Sequence, residues 1–263
     1  MNFMGFPRAD GSVGVRNHVA VIPSVFCANK VAQRIAMQVE AAVALPHWLG
    51  CAQVGADLEL TTRVLKKIGV HPNVSAVVVV GLGCERFKPD EFVEAVLPSG
   101  KPVELVHIQD MGGSVRAVQQ GVTVTQKLAL KAASQTREPL DIRHLKVGLK
   151  CGGTDATSGL AANPAVGVMS DRLVAAGGTT FLTEVNELLG TEHILCRRAV
   201  SSQVADAIRT TLSEMEERLR ADTSDPEFAH RHTLFSPGNI EGGVSSIVEK
   251  AMGGVKKSGS API

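Results

Sequence analysis

The sequence has no tyrosine and a single tryptophan, and aromatic residues make up only 3% of it. A platform for stacking unpaired bases needs aromatic faces, so single-stranded nucleic acid is excluded as a partner. No excess of one charge is present either: 27 Lys and Arg stand against 26 Asp and Glu, a net charge of +1. That balance supplies neither a basic field for phosphates nor an acidic tail. No apolar run approaches the roughly 18 residues of a membrane span. The opening "MNFMGFPRADGSVGVRNH" has no apolar segment behind a basic start, so no secretory leader is expected. The five cysteines (Cys27, Cys51, Cys84, Cys151 and Cys196) are an odd number and show no C-x-x-C spacing. They read as free thiols in a reducing cytoplasm, and zinc-finger readings are excluded.

What is present is a large store of small aliphatic residues. With 263 residues and 44% hydrophobic content, the chain can bury a core of Val, Leu, Ile and Ala. "HVAVIPSV", "SAVVVV", "PVELVHI" and "LKVGLK" have strand length and composition, "TTFLTE" more weakly, and "AAVALPHWLGC" reads as a short strand entering a turn. Helical patterns separate them: the segment holding Val31, Ile35 and Val39, then 52–68, 89–96, 115–133, 164–176 and 200–221. Alternating strands and helices predict an α/β fold, a Rossmann-like parallel sheet with helices on both faces. The expected division is a domain over 1–221 and, over 222–263, an irregular stretch ("TSDPEFAHRHTLFSPGNIEGG"), a short helix ("VSSIVEKAMGG") and a linker-like end ("VKKSGSAPI").

Several strand ends carry chemistry. Cys27, Cys84 and Cys151 each follow an apolar run, and Cys51 joins them if its short strand forms. In an open parallel sheet such ends share one rim, where ligands bind. Taken singly, a cysteine there is more often a small buried hydrophobe, and the glycines beside it ordinary turn residues. Recurrence with ionisable neighbours (His47, Glu85, Lys150, Asp155) raises the odds of a site. Gly81–Gly83 is only a fragment of a dinucleotide fingerprint. Arg16, in the turn "RADGSVGVRN", has a planar fork able to grip a carboxylate, or is a solvated lead-in to the first strand. "SPGNIEGG", with Asn239, opens a short helix that either receives an anion or is a capping loop. Asn163 and Pro164 suit an N-cap and a first helical turn. No helix start is expected beside Asp155, which leaves its carboxylate free for a site.

"ADGSVGVRN", "HWLGC", "VVGLGCE", "CGGTDATSGLAANPAVG" and "SPGNIEGGVSSIVEKAMGGVKKSG" together resemble the altronate/galactarate dehydratase (UxaA) family, in its order and over almost the whole chain. The resemblance implies dehydration of a sugar acid to a 2-keto-3-deoxy acid with a divalent metal, Fe2+ or else Mn2+. A related branch resembles sulfolactate sulfo-lyase, which eliminates sulfite. The family pattern also implies a small SAF-like domain or subunit before this region and a further α/β domain after it. It points to His47, Cys51, Cys84 and Cys151 as metal ligands, and to Glu85, Asp155 and Glu184 as acid/base candidates. Arg16, Asn17, Lys150 and Asn239 become candidates for holding substrate. A non-catalytic assembly domain is the alternative, and a homodimer is expected because apolar flanking helices often pair.

Overall fold

The computed structural model describes residues 1–221 and 236–263. These form two compact units that divide between Leu140 and Asp141, with Met1 joining the second. The boundary expected at 221 falls instead at the end of a helix inside the second unit. Strand–helix alternation continues across 140 without a change of composition, so nothing local marks the division.

In the first unit, β1 (Asn2–Pro7) and β2 (Val13–Gly14) form a short antiparallel hairpin, with Phe6 opposite Gly14 and Pro7 opposite Val13. Five strands and four helices follow: β3 (His18–Pro23), α1 (Asn29–Ala36), β4 (Ala42–Ala44), α2 (Gly55–Gly69), β5 (Val74–Gly81), α3 (Pro89–Val96), β6 (Val103–His107), α4 (Ser114–Ala133) and β7 (Glu138–Asp141). β7 joins the hairpin in a three-stranded sheet ordered β2-β1-β7, while β4-β3-β5-β6 make a parallel sheet.

The parallel sheet is buried on both faces, as its continuous β-branched runs require. Val19 and Val21 of β3, with Ala76, Val78 and Val80 of β5, face Val31, Ile35, Ala117 and Leu128 of α1 and α4. The intervening Ala20, Ile22, Val77 and Val79 face Leu65, Phe92 and Val96 of α2 and α3. A period of two in the strands thus sorts side chains into two helix-covered layers. The Rossmann-like α/β expectation is borne out here. α3 shows the local logic: Pro89 sits in the first turn, Asp90 and Glu91 complement the helix dipole, and Phe92 and Val96 share the buried face.

The second unit contains β8 (Lys146–Leu149), α5 (Asn163–Ala175), β9 (Thr179–Leu182), α6 (Glu192–Cys196), α7 (Ser202–Ala221), α8 (Pro237–Glu241) and α9 (Ile247–Gly254). β8 and β9 pair in parallel, Lys146 to Thr179 through Leu149 to Leu182. Leu188, Leu189, Leu195, Leu212 and Val255 form its core. Of the stretch expected to be irregular, 222–235 lies outside the described residues, and 237–241 is helical.

The end of the chain is packed rather than linker-like. The carboxylate of Asp171 accepts the backbone N–H groups of Ser260 and Ala261, and Arg198 donates to the carbonyls of Ser258 and Ala261. Its small residues permit close approach, which on sequence alone resembles a flexible tail. Among the described residues, no helix is long and apolar enough to cross a membrane.

Candidate functional site

In the first unit the carboxyl ends of the parallel strands form one rim. Cys27 follows β3, His47 and Cys51 follow β4, and Cys84 and Glu85 follow β5. The order β4-β3-β5-β6 reverses direction between β3 and β5, the switch point at which such sheets open a crevice. Ser24 and Glu85 close it. Buried Ser24 donates from its hydroxyl to Glu85 Oε1 at 2.6 Å, while the Leu82 and Gly83 N–H groups donate to the same carboxylate at 2.9 and 2.6 Å. Partial burial pushes the Glu85 pKa upward, but these hydrogen bonds outweigh it and hold the group below the usual glutamate range. So placed, Glu85 is a clamp between two loops. Gly50 lets the β4–α2 loop lie against the β3–α1 loop: its φ is +96°, and a Cβ there would stand 2.9 Å from the Ser24 carbonyl oxygen.

The other candidates in this unit lie elsewhere or are engaged. Arg16 and Asn17 precede β3, at the opposite, amino-terminal edge of the sheet. A six-residue strand separates them from the cysteine rim by roughly 20 Å. Asn17 is consumed structurally, accepting from Arg8 and donating to the Ala132 carbonyl. Arg16 and Asn17, expected as candidates for holding substrate, are thus set apart from the rim: a motif close to a strand in sequence can sit at either end of it. Both ring nitrogens of His47 are occupied, one at 2.8 Å from the Pro23 carbonyl oxygen and the other accepting the Leu49 N–H. Cys27, Cys51 and Cys84 are exposed. Among the described residues no three His, Cys, Asp or Glu side chains gather as a metal site. As arranged within the first unit, His47, Cys51 and Cys84 do not gather as a metal site.

In the second unit the loops after β8 and β9 meet. Glu184, just beyond β9, accepts the Cys151 N–H at 2.9 Å and lies 3.3 Å from the Lys150 ammonium. Desolvation works to raise the Glu184 pKa. The Cys151 N–H and the Lys150 charge prevail, keeping it below the usual glutamate range. The Cys151 thiol sits 2.9 Å from the Thr154 hydroxyl. The "SPGNIEGG" loop packs on this one: Gly242 accepts the Ala156 N–H, and a Cβ at Gly242 would stand 2.8 Å from the Thr154 carbonyl oxygen.

Asn239, within α8, is buried and donates from Nδ2 to Ser236, while its Oδ1 has no partner among the described residues. Its free atom is an acceptor, which suits a hydroxyl better than the substrate anion expected from the sequence. Asp155 also differs from expectation. Helical residues begin directly after it at Ala156, and its Oδ1 accepts from the Thr157 and Ser158 N–H groups at 2.8 and 3.0 Å. Asp155 is thus a helix N-cap, with its pKa lowered by the Thr157 and Ser158 donors. Asn163 lies inside the helical path, not at its start: Ser158–Ala162 form a wide π turn before Pro164, whose missing N–H removes one helical bond.

Sequence reasoning missed a fourth acidic group. Glu187 is buried between Lys250 at 2.8 Å and Lys257 at 3.5 Å. The lysines stand seven residues apart, two helical turns, which was the available signal; the linker-like look of "VKKSGSAPI" concealed it.

Fold and site describe an α/β protein with a doubly wound unit and a second unit that presents a lysine–carboxylate pair at the carboxyl end of paired parallel strands. The chain belongs to the D-galactarate/altronate dehydratase family. Residues 5–133 match "D-galactarate dehydratase/Altronate hydrolase, second domain" and residues 142–263 match "D-galactarate/Altronate dehydratase, C-terminal". It is 34% identical to the altronate dehydratase of Bacillus subtilis, over 99% of this chain and 53% of that protein. It is 36% identical to the (2R)-sulfolactate sulfo-lyase subunit beta of Chromohalobacter salexigens, over 98% and 64%. With the galactarate dehydratase (L-threo-forming) of Escherichia coli the identity is 33%, over 99% and 53%. The chain thus spans between about half and two thirds of the length of these relatives.

Proposed function

We propose that this chain carries part of the active site of a hydro-lyase that removes water from a hydroxylated sugar acid of the altronate or galactarate type. The observation that carries the reading is the Lys150–Glu184 pair at the carboxyl end of β8 and β9, in a chain of dehydratase lineage. Glu184, held ionised, takes the proton from the carbon next to the substrate carboxylate. Lys150, with 69% of its side chain exposed, meets that carboxylate and stabilises the charge that develops as the C–H bond breaks. The electron pair forms a C=C bond, the neighbouring C–O bond breaks, and the hydroxyl leaves as water with the proton that Glu184 took up. The resulting enol becomes the 2-keto-3-deoxy acid. Asn239 Oδ1 accepts from a substrate hydroxyl, and Asp155 fixes the loop carrying Cys151 and Thr154.

The test is a panel of sugar acids and sulfolactate given to the full-length protein, scored for 2-keto-3-deoxy product and for sulfite. Water loss from an aldonic or aldaric acid is expected, and Glu184→Gln should lower kcat by about 10²–10⁴-fold with a smaller change in KM. Sulfite release from sulfolactate alone would move the protein to carbon–sulfur lyase chemistry. An unchanged kcat in Glu184→Gln would remove Glu184 as the base.

A further inference from the structure

The first unit leaves one face uncovered. Among the described residues β4 is an edge strand bonded only to β3, and open edges in native proteins are usually covered or blunted. Between it and α2 runs a groove of about 600 Å3, lined by Ala44, Leu45, Leu60, Val64 and Ile68 among others. Leu60 and Val64 are 51% and 46% exposed, one helical turn apart on the outer face of α2, and Val43 of β4 is 38% exposed. Contiguous apolar surface of this kind marks an interface.

The charges along α2 identify the occupant. Asp57 and Glu59 occupy its first half, and Arg63, Lys66 and Lys67 its second. Asp57, Leu60, Arg63, Val64 and Lys67 all lie exposed on its outward side. Among the described residues no ion pair within the chain engages Asp57, Glu59, Arg63 or Lys67. A helix acidic at one end and basic at the other is complementary to its own antiparallel copy. The chain's net charge of +1 sets up little long-range repulsion between copies.

We infer that the β4–α2 face is a two-fold interface with a second copy of this chain, α2 packing antiparallel on α2. With the axis passing Thr62, Leu60 meets the second copy's Val64, and Asp57 meets the second copy's Lys67. Each contact occurs twice, as an isologous interface requires. The apolar pair fills the seam beside the groove, the ion pairs lie at its rim, and the adjoining helices shield the edge of β4. This inference stands independently of the elimination reading.

Sedimentation velocity of the 263-residue chain at micromolar concentrations tests it, with far-UV circular dichroism to confirm folding. A dimer is expected. Leu60→Glu and Val64→Glu should each raise its dissociation constant by about 100-fold, because the charge enters the seam from both copies. Asp57→Lys should weaken it by about 10-fold, and adding Lys67→Asp to that variant should restore it. Should a glutamate variant fail to fold, the charge swap decides the matter, since both of its positions are exposed. A monomeric wild type would overturn the inference and leave the face to another polypeptide. So would a dimer indifferent to Leu60→Glu, or a double swap no tighter than Asp57→Lys alone.

Discussion

Replacing Glu187 with glutamine removes one charge from a buried ionic group in the second unit, in which Glu187 lies between Lys250 and Lys257. Glu187 is 7% exposed and Lys257 5%, and the Lys250 side chain retains 14% exposure. The amide keeps the volume and some hydrogen bonding, but both ammonium groups lose their counter-charge. Breaking a buried pair by removing one partner costs roughly 3–5 kcal/mol. Because Lys250 keeps some access to water, the lower end applies, about 3 kcal/mol. For a unit of this size, at roughly 4 °C per kcal/mol, the melting temperature should fall by about 12 °C. Urea and thermal denaturation followed by circular dichroism measure this, with the urea slope expected to stay constant. A triple variant with methionine at Glu187, Lys250 and Lys257 should recover most of the loss, since no isolated charge then remains buried. A Glu187→Gln cost below about 1 kcal/mol would refute the reasoning, because the lysines would then be solvated well enough to need no partner.

Glu85 and Glu184 both have folded-state pKa values below those of the unfolded chain, so each adds stability above the unfolded value and loses it as pH falls through the folded one. Urea midpoints should therefore drop as pH falls below about 5, less steeply in Glu85→Gln; an unchanged slope would contradict the clamp. Asp155→Ala should lower the melting temperature, while Asp155→Asn should lower it less, since asparagine caps nearly as well; equal, negligible effects would show that the cap is not needed. Because His47 is engaged at both nitrogens and no donor trio gathers among the described residues, chelation should leave the melting temperature unchanged. Stoichiometric iron retained through dialysis would show that the donors reorganise.

Much of the architecture was legible because it depends on local repetition. "SAVVVV" has no polar face, so it had to be covered on both sides, and β5 is buried throughout. Pro89–Val96 carried its own start signal and buried stripe, and its bounds agree with the structure. The turn before the first long strand was visible in "RADGSVGVRN", whereas strand β1 ahead of it and the return of β7 to pair with β1 were not; the β1–β7 pairing joins residues more than a hundred positions apart.

The candidate site was less legible. Glu184 is a candidate through the family resemblance, and the structure sets it against Lys150 and the Cys151 N–H. Asp155 was chosen by eliminating a helix start, and the helix begins there after all: the π turn ahead of Pro164 extends the helical path back past the point where proline suggests a first turn. Glu187 escaped notice because burial, which makes it consequential, is a property of neighbours brought from residues 250 and 257.

By itself the sequence determined the class of fold, the family, the free thiols and the placing of cysteines after strands. These follow from periodicity, composition and motif order, which are properties of neighbours along the chain. Only the tertiary structure decided which ends of the strands share a rim, that Arg16 and Asn17 stand at the far edge, that His47 spends its nitrogens on backbone, and that Glu187 lies between two lysines. Each of these depends on chain segments meeting in space, and the free energy of a buried charge or a shared hydrogen bond is settled only at that meeting.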